Sequence, residues 1–131
     1  MDEIDEKIIY LLRRNSRTPF VEIADKIGLT EGAVRARVGK LVADGVIKKF
    51  TIDAEEGIKA IVTIATSSNV PTTRVANSVK ELGIEKTYEV SGDYDIICFI
   101  QSGQMSEIDK LVEKIRKVNG VVDTKTFMVL K

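Results

Sequence analysis

Histidine and tryptophan are missing from the sequence altogether, and cysteine occurs once. One chain therefore cannot assemble a zinc site from His and Cys, nor a His-based triad or general base. A lone cysteine gives no disulfide framework, so a reducing interior is the expected setting. No apolar run approaches the roughly 20 residues of a membrane-spanning helix, and no signal-peptide pattern opens the sequence. A cytoplasmic protein with no membrane partner is expected, and nothing in the composition asks for a cofactor or a metal. Neither charge sign is in excess, with 20 Lys+Arg against 20 Asp+Glu. The global balance therefore announces no anionic partner.

What remains is an ordinary composition, 44% hydrophobic and 31% charged over 131 residues, enough for one domain or two small ones. The first 45 residues read as three helices. Ile4, Ile8, Leu11 and Leu12 stand at helical spacing behind Asp2, a candidate N-cap, with Arg13 and Arg14 at the far end. In "SRTPFVEIADKIG", Thr18 can cap and Pro19 fits the first helical position. Phe20, Ile23, Ala24 and Ile27 make the apolar face, and Gly28 ends the helix. After a three-residue turn Thr30 caps a third helix, with Val34, Val38, Leu41 and Val42 inward, stopped by "DG" at 44–45. Two helices joined by a tight turn, small or apolar at Ala24, Gly28 and Leu29, form the helix-turn-helix pattern. "VIKKFTID" then reads as a short strand or hairpin, a wing with Lys48 and Lys49 at its base.

A second unit follows from residue 53. "IKAIVTIAT" is a strand, residues 72–82 a helix, "EKTYEVS" a strand, "GD" a two-residue hairpin turn and "YDIICFIQ" the returning strand. Ser106 and Asp109 suggest a capping box ahead of Ile108, Leu111, Val112, Ile115 and Val118, and "VVDTKTFMVL" is the last strand. The expected class is α+β: a winged helix-turn-helix over 1–52, then a βαββαβ ferredoxin-like domain over 53–131. "IICFI", 96–100, is apolar on both faces, although an antiparallel sheet with helices on one side should alternate. A second copy of the same sheet is the simplest cover. Cys98 within it reads as a buried small hydrophobe, and Tyr88 as a sheet residue.

The third helix is unusual on its polar side. Gly32, Ala36 and Gly39 stand there beside Arg35 and Lys40, although an interior Gly costs roughly 1 kcal/mol against Ala. A helix lying in the major groove must let its backbone come near the bases. Charge agrees locally. Residues 35–49 hold Arg35, Arg37, Lys40, Lys48 and Lys49 against Asp44, a net +4 hidden in the neutral total. Candidate DNA contacts are Thr30 and Glu31 at the helix start, Arg35, Arg37, Lys40, Lys48, Lys49, and Arg17 from the basic edge "RRNSR". Arg37 abuts Val38 and Leu41, so packing competes with DNA contact there. A basic helix end favoured by the helix dipole competes with phosphate contact for "RRNSR".

Taken in order, "DEIDEKIIYLL", "AVRARVGKLVADGVIKKF", "SGDYDII" and "GVVDTKTFMVL" resemble the Lrp/AsnC or feast/famine regulators of bacteria and archaea over nearly the whole chain. The resemblance implies a regulator that reads double-stranded DNA. It also implies homodimers formed by sheet-to-sheet packing, octamers or other forms built from them, and a small effector, usually an amino acid. It places the effector pocket at Gly92, Asp93, Tyr94 and Asp95 with Thr124 and Thr126. Asp93 or Asp95 would take an ammonium group, while backbone N–H groups and a threonine hydroxyl would take a carboxylate. Two rivals are an enzyme similar to the sirohaem decarboxylases, against which the missing histidine weighs, and a ligand-sensing partner protein without DNA binding, against which the +4 segment weighs.

Overall fold

A computed structural model describes all residues, 1–131, as two compact units, Met1–Ala54 and Glu55–Lys131. The first holds three helices: α1 (Glu3–Arg14), α2 (Phe20–Ile27) and α3 (Glu31–Ala43). Asp2 caps α1 in a reciprocal capping box with Asp5. Ile8, Leu12, Ile23, Ala24, Val34 and Val38 form the core where the three helices meet. Gly28, at φ 73°, lets the chain leave α2 in the left-handed conformation, and Leu29 N–H then donates to Ala24 O at 3.0 Å. Thr30 caps α3 by accepting from Ala33 N–H at 3.1 Å.

Several local expectations need correction. Pro19 is the N-cap of α2 rather than its first helical residue, and Thr18 makes no cap. The Thr18 hydroxyl donates back to Asn15 O at 2.7 Å, closing the preceding turn instead. Val42 is exposed, because Val34, Val38 and Leu41 already fill the inward stripe of α3. No strand forms over 46–54. Val46 and Ile47 fold back with N–H bonds to Leu41 O, and the extended stretch beyond is held by Ser16 Oγ donating to Thr51 O at 3.0 Å. These bonds make no strand pairing, so the expected wing has no ladder.

The second unit runs β1 (Ile58–Thr66), α4 (Thr72–Glu81), β2 (Thr87–Glu89), β3 (Ile96–Ser102), α5 (Met105–Arg116) and β4 (Val121–Met128). The sheet order is β2-β3-β1-β4 and every pairing is antiparallel, which is the expected βαββαβ sandwich. Ala60, Val62 and Ile64 of β1 and Ile96, Cys98 and Ile100 of β3 face α4 and α5, where they pack with Val75, Val79, Ile108 and Ile115. The Cys98 thiol is fully buried, and burial pushes its pKa up to about 11.

The opposite face of the sheet is apolar too. Ile61 pairs with Phe99 on one side and Phe127 on the other, and Ile97 pairs with Tyr88 and Thr63. Tyr88 and Phe99 meet edge to face at 6.1 Å between centroids. Phe99 is 44% exposed and Phe127 52%.

Two further details differ from expectation. The β2–β3 connection takes six residues, 90–95, rather than a two-residue turn. Asp95 is drawn towards β1: its N–H donates to Ile64 O at 3.0 Å and its carboxylate accepts from Thr66 N–H at 2.8 Å. Ser106 lies inside α5 behind the N-cap Gln104, so the expected capping box is absent.

Candidate nucleic-acid interface and effector groove

The outward face of α3 is bare. Gly32, Ala36, Gly39 and Ala43 are exposed in a row, with Arg35 and Lys40 beside them. A Cβ built at Gly32 or at Gly39 would meet no atom within 4 Å, and neither has a positive φ. The fold therefore does not require glycine at either position, and helix propensity opposes it.

The cations around this face differ in their engagements. Arg35 pairs with Glu31 one turn earlier, and its guanidinium stands 5.3 Å from the centre of the Phe20 ring of α2. Lys40 pairs with Asp44 at 3.1 Å. Lys48 and Lys49 are exposed on the extended segment after α3. Arg17 is exposed in the α1–α2 connection, where its backbone N–H donates to Asn15 Oδ1 at 3.0 Å. Thr30 Oγ1 is already committed to the cap.

Arg37 points elsewhere. Its Nη1 donates to both carboxylate oxygens of Asp2, at 2.9 and 2.7 Å, and to Asp5 Oδ1 at 3.1 Å. The hydrogen bond from Arg37 lowers the Asp2 pKa below its ordinary 3.8, and the same contacts raise that of Arg37. Of the two readings of Arg37, the geometry shows the packing one, a clasp between α3 and the start of α1.

In the second unit, the six residues assigned to an effector pocket do not gather on one face of the sheet. Gly92, at φ 129°, and the exposed Asp93 lie at the tip of the 90–95 connection. Tyr94 reaches the outer face, where Lys125 Nζ stands 5.6 Å from its ring centre, and the hydrogen bond between them raises the Lys125 pKa. Thr124 and Thr126 alternate with Lys125 along β4 and so face the helical side. Thr124 Oγ1 accepts from Arg116 Nε at 3.1 Å.

On that side lies a groove of about 350 Å³ between α5 and β4, walled by Met105, Ile108, Asp109, Val112, Glu113, Arg116, Thr126 and Met128. Arg116 Nη1 donates to Glu113 Oε1 at 2.8 Å. Of these, the sequence reading assigned only Thr126 to an effector site. The signal was the spacing of Met105, Asp109, Glu113 and Arg116 along one side of α5, a mixed-charge row beside the apolar stripe that drew attention. No helix is long and apolar enough to cross a membrane.

Comparison with known proteins agrees with both units. Residues 1–48 match the family model for winged helix-turn-helix DNA binding, and residues 59–131 match that for the Lrp/AsnC ligand binding domain. The HTH-type transcriptional regulator LysM of Sulfurisphaera tokodaii is 41% identical, over 100% of this chain and 96% of that protein. Two solved structures share the fold. The leucine response regulatory protein of Mycobacterium tuberculosis aligns with a TM-score of 0.81 at 22% identity, covering 100% of this chain and 93% of that one. The transcriptional regulator NMB0573 of Neisseria meningitidis, solved in complex with L-Met, aligns with a TM-score of 0.73 at 20% identity, covering 100% of this chain and 90% of that one. A helix-turn-helix unit joined to a ligand-binding βαββαβ unit, matched along its whole length, makes this chain a member of the Lrp/AsnC family of DNA-binding transcription regulators.

Proposed function

We propose that α3 lies in the major groove with its bare face against the DNA, and that a free amino acid bound to the second unit tunes that binding. The observation that carries the first part is the exposed row Gly32, Ala36, Gly39 and Ala43, glycine twice where the fold does not need it. Arg35 and Lys40 then reach base edges or phosphates, and Lys48, Lys49 and Arg17 reach the flanking backbone. Thr30 and Glu31 open the helix at the groove. Two-fold assembly through the apolar face bearing Phe99, Ile61 and Phe127 would present two such helices, suited to pseudo-palindromic sites.

The groove between α5 and β4 is the better place for the amino acid. It offers Arg116 and the Thr126 hydroxyl to a carboxylate and Asp109 to an ammonium group, above an apolar wall of Met105, Ile108 and Met128. A neighbour of the same fold was solved with L-Met, a ligand of this chemical class. Asp93, exposed at the loop tip, is the second candidate for the ammonium. Bound ligand would act by favouring one arrangement of subunits over another.

A thermal-shift screen of the twenty amino acids, followed by mobility shifts with any hit, tests the reading. Asp109→Ala and Arg116→Ala should each weaken the hit about tenfold or more, since each removes a charged partner. Asp93→Ala should leave it within about twofold, about 0.4 kcal/mol. The reverse pattern would move the site to the loop.

A further inference from the structure

Glu31 is an acid at the start of a helix whose outward face is net cationic. It repels phosphate, so a surface built only for electrostatic attraction gains nothing from it. Its position is nevertheless specific. Glu31 is the first residue of α3 and Arg35 stands one turn on, and the two side chains are joined in an ion pair, 40% and 66% exposed. Arg35 is also held against the Phe20 ring at 5.3 Å. The pair therefore stands together on the helix surface. It presents guanidinium donors and, beside them, a carboxylate acceptor, in a fixed order along the helix. Gly32 and Ala36, adjacent on the same surface, raise nothing that would hold the pair away from a base edge.

Across the major groove a G·C pair shows acceptor, acceptor, donor: guanine N7, guanine O6 and the cytosine N4 amino group. No other base pair shows that order in that direction. We propose that Glu31 and Arg35 read one G·C pair of each half-site together, Arg35 donating to guanine N7 and O6 and Glu31 accepting from cytosine N4. Glu31 is then a specificity-determining residue. It completes the match to G·C, and it stops Arg35 from settling on a phosphate. This rests on α3 being the reading helix. A role for Glu31 confined to the helix start would affect stability alone. The proposed role makes specific and non-specific binding move in opposite directions.

The test uses the full-length chain, its Glu31→Ala and Arg35→Ala variants, and selection from a random duplex library, with thermal unfolding to confirm that each variant is folded. The wild type should enrich a half-site with an oriented G·C pair, and Arg35→Ala should lose preference at that pair. Glu31→Ala should weaken preference at the same pair by about fivefold or more, the lower end for one good base contact. Its affinity for a scrambled duplex should rise, because a repelling charge is gone and Arg35 is released. Unchanged preference at that pair in Glu31→Ala, or a change at a different pair from the one Arg35→Ala affects, overturns the joint reading while leaving α3 as the DNA helix. A wild type that enriches no sequence overturns base reading by α3, and this pair with it.

Discussion

Replacing Gly39 by alanine should make the protein more stable and a poorer DNA binder. Gly39 lies in the interior of α3, exposed, and a methyl group there would touch nothing in the chain. The substitution removes only backbone freedom from the unfolded state and restores helix propensity, together about 0.5–1 kcal/mol. For a unit the size of Met1–Ala54, 1 kcal/mol corresponds to a rise in Tm of about 4–8 °C. The same methyl group stands on the face proposed to meet DNA. Where backbone and bases are in close approach, an added carbon forces the helix outward and lengthens the contacts of Arg35 and Lys40 together. Two such contacts weakened by about 1 kcal/mol each would lower affinity by about 30-fold. Gly28→Ala is the control of sign, since at φ 73° an alanine is strained and should destabilise by about 1–2 kcal/mol. Thermal unfolding and mobility shifts on the variants read both effects. A stabilised Gly39→Ala protein that binds DNA as well as the wild type would refute the close approach, and a destabilised one would refute the propensity argument.

Two other outcomes follow from the geometry. Phe99→Glu puts a charge on the outer sheet face without touching the helix-facing core, so sedimentation of the full chain should show loss of the proposed dimer at micromolar concentration with the fold retained; a dimer that survives assigns the interface to another surface. Asp2→Asn should destabilise the helical unit at neutral pH by weakening the clasp with Arg37. The Asp2 pKa is lowered in the folded state, so its stabilisation is present above the unfolded value near 3.8 and is lost as pH falls through the folded one. Wild type and Asp2→Asn should therefore converge in acid unfolding as pH falls well below 3.8, and a gap that persists there would mean the carboxylate charge is not what matters.

Much of the fold could be read from residue order because local and long-range requirements agreed. The stripes Ile8–Leu12, Ile23–Ala24 and Val34–Val38 are helical in spacing and also fill one core. The doubly apolar β3 could be read because alternate residues serve different faces: Ile96, Cys98 and Ile100 meet the helices, while Phe99 lies on the other face and stays 44% exposed. The misreadings were places where a residue had two lawful uses. Thr18 can cap a helix or close a turn, and the turn at Asn15 took it. Gly92-Asp93 can form a tight hairpin, but Asp95 found two bonds on β1, which opened the connection. The residues of 46–54 have the pattern of a strand, yet a strand also needs a partner, and none is present in the unit.

The residues expected at the effector pocket do not converge within one chain, for a reason that lies in sheet geometry. Thr124, Lys125 and Thr126 are consecutive, so in an extended strand the threonines and the lysine must point to opposite sides. Tyr94 joins Lys125 on one side, and Arg116 joins Thr124 on the other. A pocket joining Tyr94 to the two threonines within a single chain would have to pass through the sheet. If both sets touch one ligand, the loop must come from a second copy whose edge is set against α5 and β4. The Asp93→Ala and Asp109→Ala measurements separate these cases. An effect of Asp109→Ala alone places the whole site within one subunit. Equal losses in both variants, together with ligand binding that weakens on dilution, would mean that the site is completed only by assembly, so that effector affinity and oligomeric state are linked by mass action.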